Sequence, residues 1–234
     1  MRLNMTFLDR ISLFEPLDFF AVALLFGLWA GIGFWVENPS KKHLSTAMIM
    51  AQYRREWMCE MITRDPRIFD AQILGNLRQG TAFFASTCVI AIGGALALIG
   101  NADRLAGVAA DITLMDHPDI VWELKLIVMT VFLTNAFLKF VWANRLFGYC
   151  SVLMAAVPND PDHPKAKIRA DQAAHINITA AKGVNRGLRS IYFALASAAW
   201  LAGSIPLILA SLTTVTVIWR REFASHSRKI LLNH

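Results

Sequence analysis

Charge is scarce in this sequence: Asp, Glu, Lys and Arg make up only 17% of 234 residues, while 56% are apolar. An ordinary soluble domain carries about a quarter charged residues. The charge that is present is segregated, with long stretches holding none. Cysteine is equally sparse. Cys59, Cys88 and Cys150 are odd in number and form no CxxC pair, which argues against a disulfide framework and for reduced thiols. The phosphate-binding glycine loop, the dinucleotide fingerprint, HExxH, GxSxG and SxxK are all missing. No catalytic residue, metal or cofactor is therefore expected. The six histidines are scattered, none of them in the middle of an apolar run, so haem ligation within a membrane is not expected either.

What is present is hydrocarbon-compatible sequence, with a mean hydropathy of +0.44. A helix needs ~20 apolar residues to cross a bilayer core. The runs 17–36, 80–100 and 120–142 qualify. The first contains Ala23, Gly27 and Gly31 at a spacing of four, a small-residue face that permits close helix contact. Acidic Asp9, Glu15 and Asp18 precede it and no cleavage site follows, so it reads as an anchor rather than a signal peptide.

A last apolar region, 191–219, is too long for one span and too short for two. Gly203, Ser204 and Pro206 at its middle suit a helix stop followed by a new first turn. Charge placement favours this hairpin. Segments 37–79 and 143–189 each hold seven Lys or Arg, whereas 101–119 has one against four Asp. The positive-inside rule then puts 37–79 and 143–189 in the cytoplasm and the N-terminus outside. Arg220, Arg221, Arg228 and Lys229 draw the C-terminus inside as well, which an even return requires. The fold class expected is all-α: a polytopic helical membrane protein of four full spans, or three spans plus a C-terminal hairpin with arms near 187–202 and 205–220. It forms one membrane domain over 1–234. Cytoplasmic helical segments are expected near 44–79 and 165–189. Asp65 reads as an N-cap with Pro66 at the first helical position. The net charge of +6 is assigned to anionic lipid headgroups rather than to nucleic acid, for which no binding motif exists.

Three groups of polar residues could carry function. Gln72, Asn76, Gln79 and Ser86 fall on one face of the second span and its extension, as interhelical hydrogen bonds or a water-lined path. Asn135 and Lys139 in the third span could hold an anion, although Lys139 could also snorkel to the headgroups beside Trp142. Asp171, His175, Lys182, Asn185, Arg189 and Tyr192 recur along one seam, either a solvated face or a polar vestibule. Lys125 near the outer end is expected to snorkel, and Arg55, within an apolar stripe, to pair with Asp70.

Several stretches also carry a resemblance: Tyr53-Arg54-Arg55-Glu56-Trp57-Met58, the run from Asp70 to Thr87, Tyr149-Cys150-Ser151-Val152, Asn185-Arg186-Gly187-Leu188-Arg189, Tyr192 to Ala196, and Trp219-Arg220-Arg221-Glu222-Phe223. Their order resembles the membrane proteins grouped as domain of unknown function 599, from bacteria and plants. Gly148 departs from that pattern, where asparagine is expected. The resemblance implies one membrane domain and a bacterial inner-membrane address, and brings no activity or catalytic residue with it. The polar lines point to a homo-oligomeric channel or transporter-like protein for a small ion or solute, more suited to an anion. The rival reading is a non-transporting scaffold or accessory subunit that docks another membrane protein.

Overall fold

The computed structural model describes residues 13–40, 43–101 and 118–232, and among these there is no β-strand. The helices are α1 (Pro16–Glu37), α2 (Thr46–Glu60), α3 (Ile68–Ile99), α4 (Asp119–Ala155), α5 (Lys165–Ala198), α6 (Ser204–Phe223) and a short α7 (His226–Leu232). Three of them, α1, α3 and α4, are long and apolar enough to cross a membrane. With 37 residues, α4 is about 55 Å long, well beyond the ~30 Å of a hydrocarbon core.

Local chemistry sets the helix ends. The Ser45 hydroxyl donates to the Val36 carbonyl (2.8 Å) and accepts from Met48 N–H (3.3 Å), tying the end of α1 to the first turn of α2. Before α3 the expected Asp65 cap does not form. Asp65 and Pro66 lie in a turn joined by a cis peptide, and the helix starts at Ile68. Arg67 holds that turn by donating to the carbonyls of Met61, Ile62, Val157 and Pro158.

Residues 191–219 do not form one helix. After α5 a 3-10 turn, Ala199–Ala202, ends at Gly203, whose φ of +118° is open to glycine and strained for other residues. Ser204 begins α6, which returns antiparallel to α5: Arg221 near its end donates to the hydroxyl of Tyr192 at 2.7 Å. It lies alongside α1, with Ser204 on Asp18 at one end and Phe223 against Trp35 at the other.

The most extensive helix contact joins α4 and α5. It is close because Gly183 and Gly187 face α4. A Cβ added at Gly183 would lie 3.2 Å from the Cβ of Ala143, and one at Gly187 would lie 2.8 Å from the ring of Phe140. This is where the small-residue contact occurs. Ala23, Gly27 and Gly31 are exposed instead, and nothing lies within 4 Å of where Gly27 or Gly31 would carry a Cβ. The physical reason is that α1 turns its Ala21, Leu25, Ile32 and Val36 face to the bundle. Between the two ends, Phe26, Phe132 and Phe193 form an aromatic layer, with ring centroids 4.9 and 6.2 Å apart. For groups inside a bilayer, water exclusion does not drive such packing; shape-matched dispersion contacts must.

Candidate functional site

The end of the bundle where α1 stops and α6 finishes holds a cavity of about 420 Å³. Its walls come from α1 (Val36, Glu37), α2 (Thr46 to Arg54), α3 (Asn76, Leu77, Gly80, Thr81, Phe84), α4 (Phe147), α5 (Ile178 to Arg189) and α6 (Arg221, Glu222). Four cationic side chains line it, Arg54, Lys182, Arg189 and Arg221, against the two carboxylates of Glu37 and Glu222.

Both carboxylates are already committed. Glu37 accepts from Arg186 Nε at 2.9 Å, from Arg186 Nη2 and from Arg189 Nη2. Helical side chains lean toward the N-terminus, so Arg186 and Arg189 reach down α5 to meet it. Glu37 in turn holds the Arg186 guanidinium above its ordinary pKa through that hydrogen bond. Glu222 sits at the start of α2, where its Oε2 accepts from Ala47 N–H at 3.1 Å and the Thr46 hydroxyl donates to its carbonyl. A carboxylate there meets the positive end of the helix dipole.

The cations are less well matched. Arg54 donates to Asn177 Oδ1 at 2.5 Å, and that partner is neutral. Burial pushes the Arg54 guanidinium below its ordinary pKa, yet an arginine remains charged across the physiological range. Lys182 makes no ion pair among the described residues, and Arg221 donates to the Tyr192 hydroxyl, with Glu222 at 3.9 Å. The cavity therefore presents net positive charge beside apolar walls.

The polar seam on α5 is split by this geometry. Lys182, Asn185 and Arg189 line the cavity, and Tyr192 lies behind Arg221. Asp171 and His175 face solvent one helical turn apart, 3.4 Å from each other, because there α5 has left its α1 and α6 neighbours. Among the described residues no group of three or more His, Cys, Asp or Glu is placed to hold a metal. Of the line on α3, Asn76 reaches the cavity, while Gln72, Gln79 and Ser86 are exposed on the outer side of the helix. Asn135 accepts a hydrogen bond from Ser190 at 3.3 Å in the α4–α5 contact, and Lys139, half-buried, borders neither cavity. These two residues are not brought together with the seam.

Arg55 is exposed; its neighbour Arg54 turns inward. Asp70, fully buried, is matched instead by Trp57 Nε1 at 2.6 Å and Arg64 at 2.5 Å. At the opposite end of the bundle Lys125 does not snorkel. It is 6% exposed, its Nζ 4.9 Å from the Trp122 ring centroid and 5.8 Å from that of Trp200. Asp18 beside it accepts from Trp200 Nε1 (2.7 Å) and Ser204 (2.5 Å), bordering a second cavity of about 250 Å³.

Residue-by-residue reading overlooked Glu37, Arg54, Arg221 and Glu222 as cavity residues. For Arg54, Arg221 and Glu222 the stretches that carry the resemblance were the available signal: those at 53–58, 70–87, 185–189 and 219–223 each place side chains in the lining, while Glu37 lies outside them. No curated protein and no solved structure matches the chain. Over residues 20–227 it matches the family described as "Protein of unknown function, DUF599", and the chain belongs to that family.

Proposed function

We propose that this protein is a multi-pass inner-membrane protein that binds an anion in the cavity between α1, α2, α3 and α5, as part of a transporter-like role. In this reading α1, α3, α4 and the two arms that meet at Gly203 cross the bilayer, with the N-terminus outside and the cavity and C-terminus in the cytoplasm. The observation that carries it is the charge imbalance of the lining. Arg54 and Lys182 face a shared space with no carboxylate committed to either. Arg54 is half-buried with a neutral partner and Lys182 stands exposed at the rim, so an anionic solute between them would supply the counter-charge that Arg54 lacks. The convergence of four resemblance-bearing stretches on this one space supports the same reading. The aromatic layer of Phe26, Phe132 and Phe193 separates it from the Asp18–Lys125 end, so release on the far side would need a second conformation.

Titration calorimetry of the purified protein with phosphate, sulfate and acetate tests the binding. Lys182→Gln is expected to weaken the anion that binds about fivefold, the effect of losing one partly solvated contact of about 1 kcal/mol. Raising the salt should weaken wild type more than the variant. Heat signals at the dilution background for all three anions, together with background flux in liposomes, would end this reading.

One observation favours self-association or docking to another membrane protein. Helix α3 packs along α4 and leaves Phe69, Phe83, Val89, Ile90, Gln79 and Ser86 exposed. Amide and hydroxyl groups near hydrocarbon gain from a protein neighbour. In a Cys59→Ser background, Ser86→Cys is expected to form disulfide-linked dimers in membranes treated with copper–phenanthroline, the oxidant that takes up the two electrons. A linked heterologous partner would favour the scaffold reading, and monomer alone would exclude both.

A further inference from the structure

The cavity is larger and more apolar than a simple inorganic anion requires. Its volume of about 420 Å³ lies in the ~300–1,000 Å³ range of pockets for organic ligands. Along the α3 wall the lining changes from polar to apolar: Asn76 comes first and Phe84 lies about two turns further into the apolar run, while Arg54 and Lys182 line the α2 and α5 walls and the Glu37–Arg189 pair is already matched. Thr81, which could have added polarity at that depth, donates its hydroxyl to the Leu77 carbonyl of its own helix at 2.6 Å. The wall at Gly80 is open, with nothing within 4 Å of where its Cβ would lie. Helix α3 rests on α4, and neither α1 nor α2 packs along it to a comparable extent. The space between α3 and α1 is thus bordered by helices that do not close on one another.

We propose that the occupant is an anionic amphiphile, a phosphate or carboxylate headgroup carrying an acyl chain. The headgroup sits on Arg54 and Lys182, and the chain runs past Gly80 and Phe84 toward the bilayer between α1 and α3. Charge-assisted hydrogen bonds hold the anion, and the chain occupies a wall that offers it no polar competitor. This rests on the anion-binding reading above and narrows it to a substrate that arrives from the lipid phase.

The test measures thermal unfolding of the full-length protein in a neutral detergent with three additives: inorganic phosphate, dihexanoyl phosphatidic acid and dihexanoyl phosphatidylcholine. The phosphatidic acid is expected to stabilise at a concentration at least about tenfold below inorganic phosphate, since even a few buried methylenes contribute about 0.8 kcal/mol each. The phosphatidylcholine is expected to have no effect. Lys182→Gln should shift the phosphatidic acid response to about fivefold higher concentration. Gly80→Leu, placed where there is open space, should remove the advantage of the acyl chains and leave the inorganic phosphate response intact, which also shows that the variant folds. Equal responses to phosphate and phosphatidic acid, unchanged by Gly80→Leu, would overturn the amphiphile and leave the anion site standing. No response to either would overturn both. A phosphatidylcholine response equal to that of phosphatidic acid would overturn recognition of the anion.

Discussion

Glu37→Gln is expected to lower the thermal unfolding midpoint of the purified protein by roughly 4–8 °C. Two arginines converge on this carboxylate, and one of them, Arg189, has a side chain only 7% exposed. Removing one partner of a fully buried pair costs about 3–5 kcal/mol, because the other charge is left in a poor solvent. Glu37 is 21% exposed, so partial hydration of the survivors reduces that to about 2 kcal/mol. For a chain of this size 1 kcal/mol corresponds to roughly 2–4 °C. The same logic gives a discriminating double variant. In Glu37→Leu/Arg189→Leu neither buried charge remains, and Arg186, half-exposed, can turn to water. The double variant should therefore melt above Glu37→Leu alone. If it melts no higher, the destabilisation arises from lost packing at the end of α1 and not from an orphaned guanidinium.

That pair also marks the limit of what a linear reading can reach. The apolar runs were legible because hydrocarbon demands them: α1, α3 and α4 fall where runs of ~20 predominantly apolar residues occur. The reversal at Gly203 was legible because glycine, serine and proline follow one another where a helix must stop and restart. The partners of Glu37 lie 149 and 152 residues away, and no periodicity relates them. They meet only because α5 rises beside α1, a consequence of tertiary packing.

The site was legible in part for a related reason. Periodicity tells which residues share a face, and Gln72, Gln79 and Ser86 do share one. It does not tell which way the face points. That depends on α3 having one main neighbour, α4, so the buried side is the one through Leu74, Thr81, Ala85 and Cys88. The error of one residue between Arg55 and Arg54 has the same source. Neighbouring positions on a helix differ by about 100°, so a stripe placed one residue off turns Arg55 out and Arg54 in. The seam on α5 was found because its residues are polar in an otherwise apolar context near the hairpin. Its upper half, Lys182 to Arg189, becomes a cavity wall only because α2 begins and α6 ends beside it.

The closest helix approach at a glycine among the described residues sets the remaining prediction. Gly187→Ala would place a methyl group 2.8–3.0 Å from three atoms of the Phe140 ring. Real contacts of this kind do not occur at such distances, so the ring or the helix must move. Phe140 is fully buried and its ring stacks on Phe84 at 5.3 Å, so the ring has no free space behind it. Overpacking of a filled site costs typically about 1–3 kcal/mol. Against this, alanine in place of a mid-helix glycine returns about 1 kcal/mol of helix propensity. The net loss expected for Gly187→Ala is about 1 kcal/mol, and Gly187→Val should exceed it because its two γ-methyl groups meet the same ring. Phe140→Leu combined with Gly187→Ala should recover stability relative to Gly187→Ala alone, since the shorter side chain vacates the contested volume. The effect also reaches the site. Phe84, against which Phe140 rests, is a wall of the cavity, so a ring displaced toward α3 narrows it. Gly187→Ala is therefore expected to weaken anion binding as well as stability, and Phe140→Leu to restore both. If the melting temperature of Gly187→Ala equals that of wild type, the α4–α5 contact is looser than the glycine spacing implies.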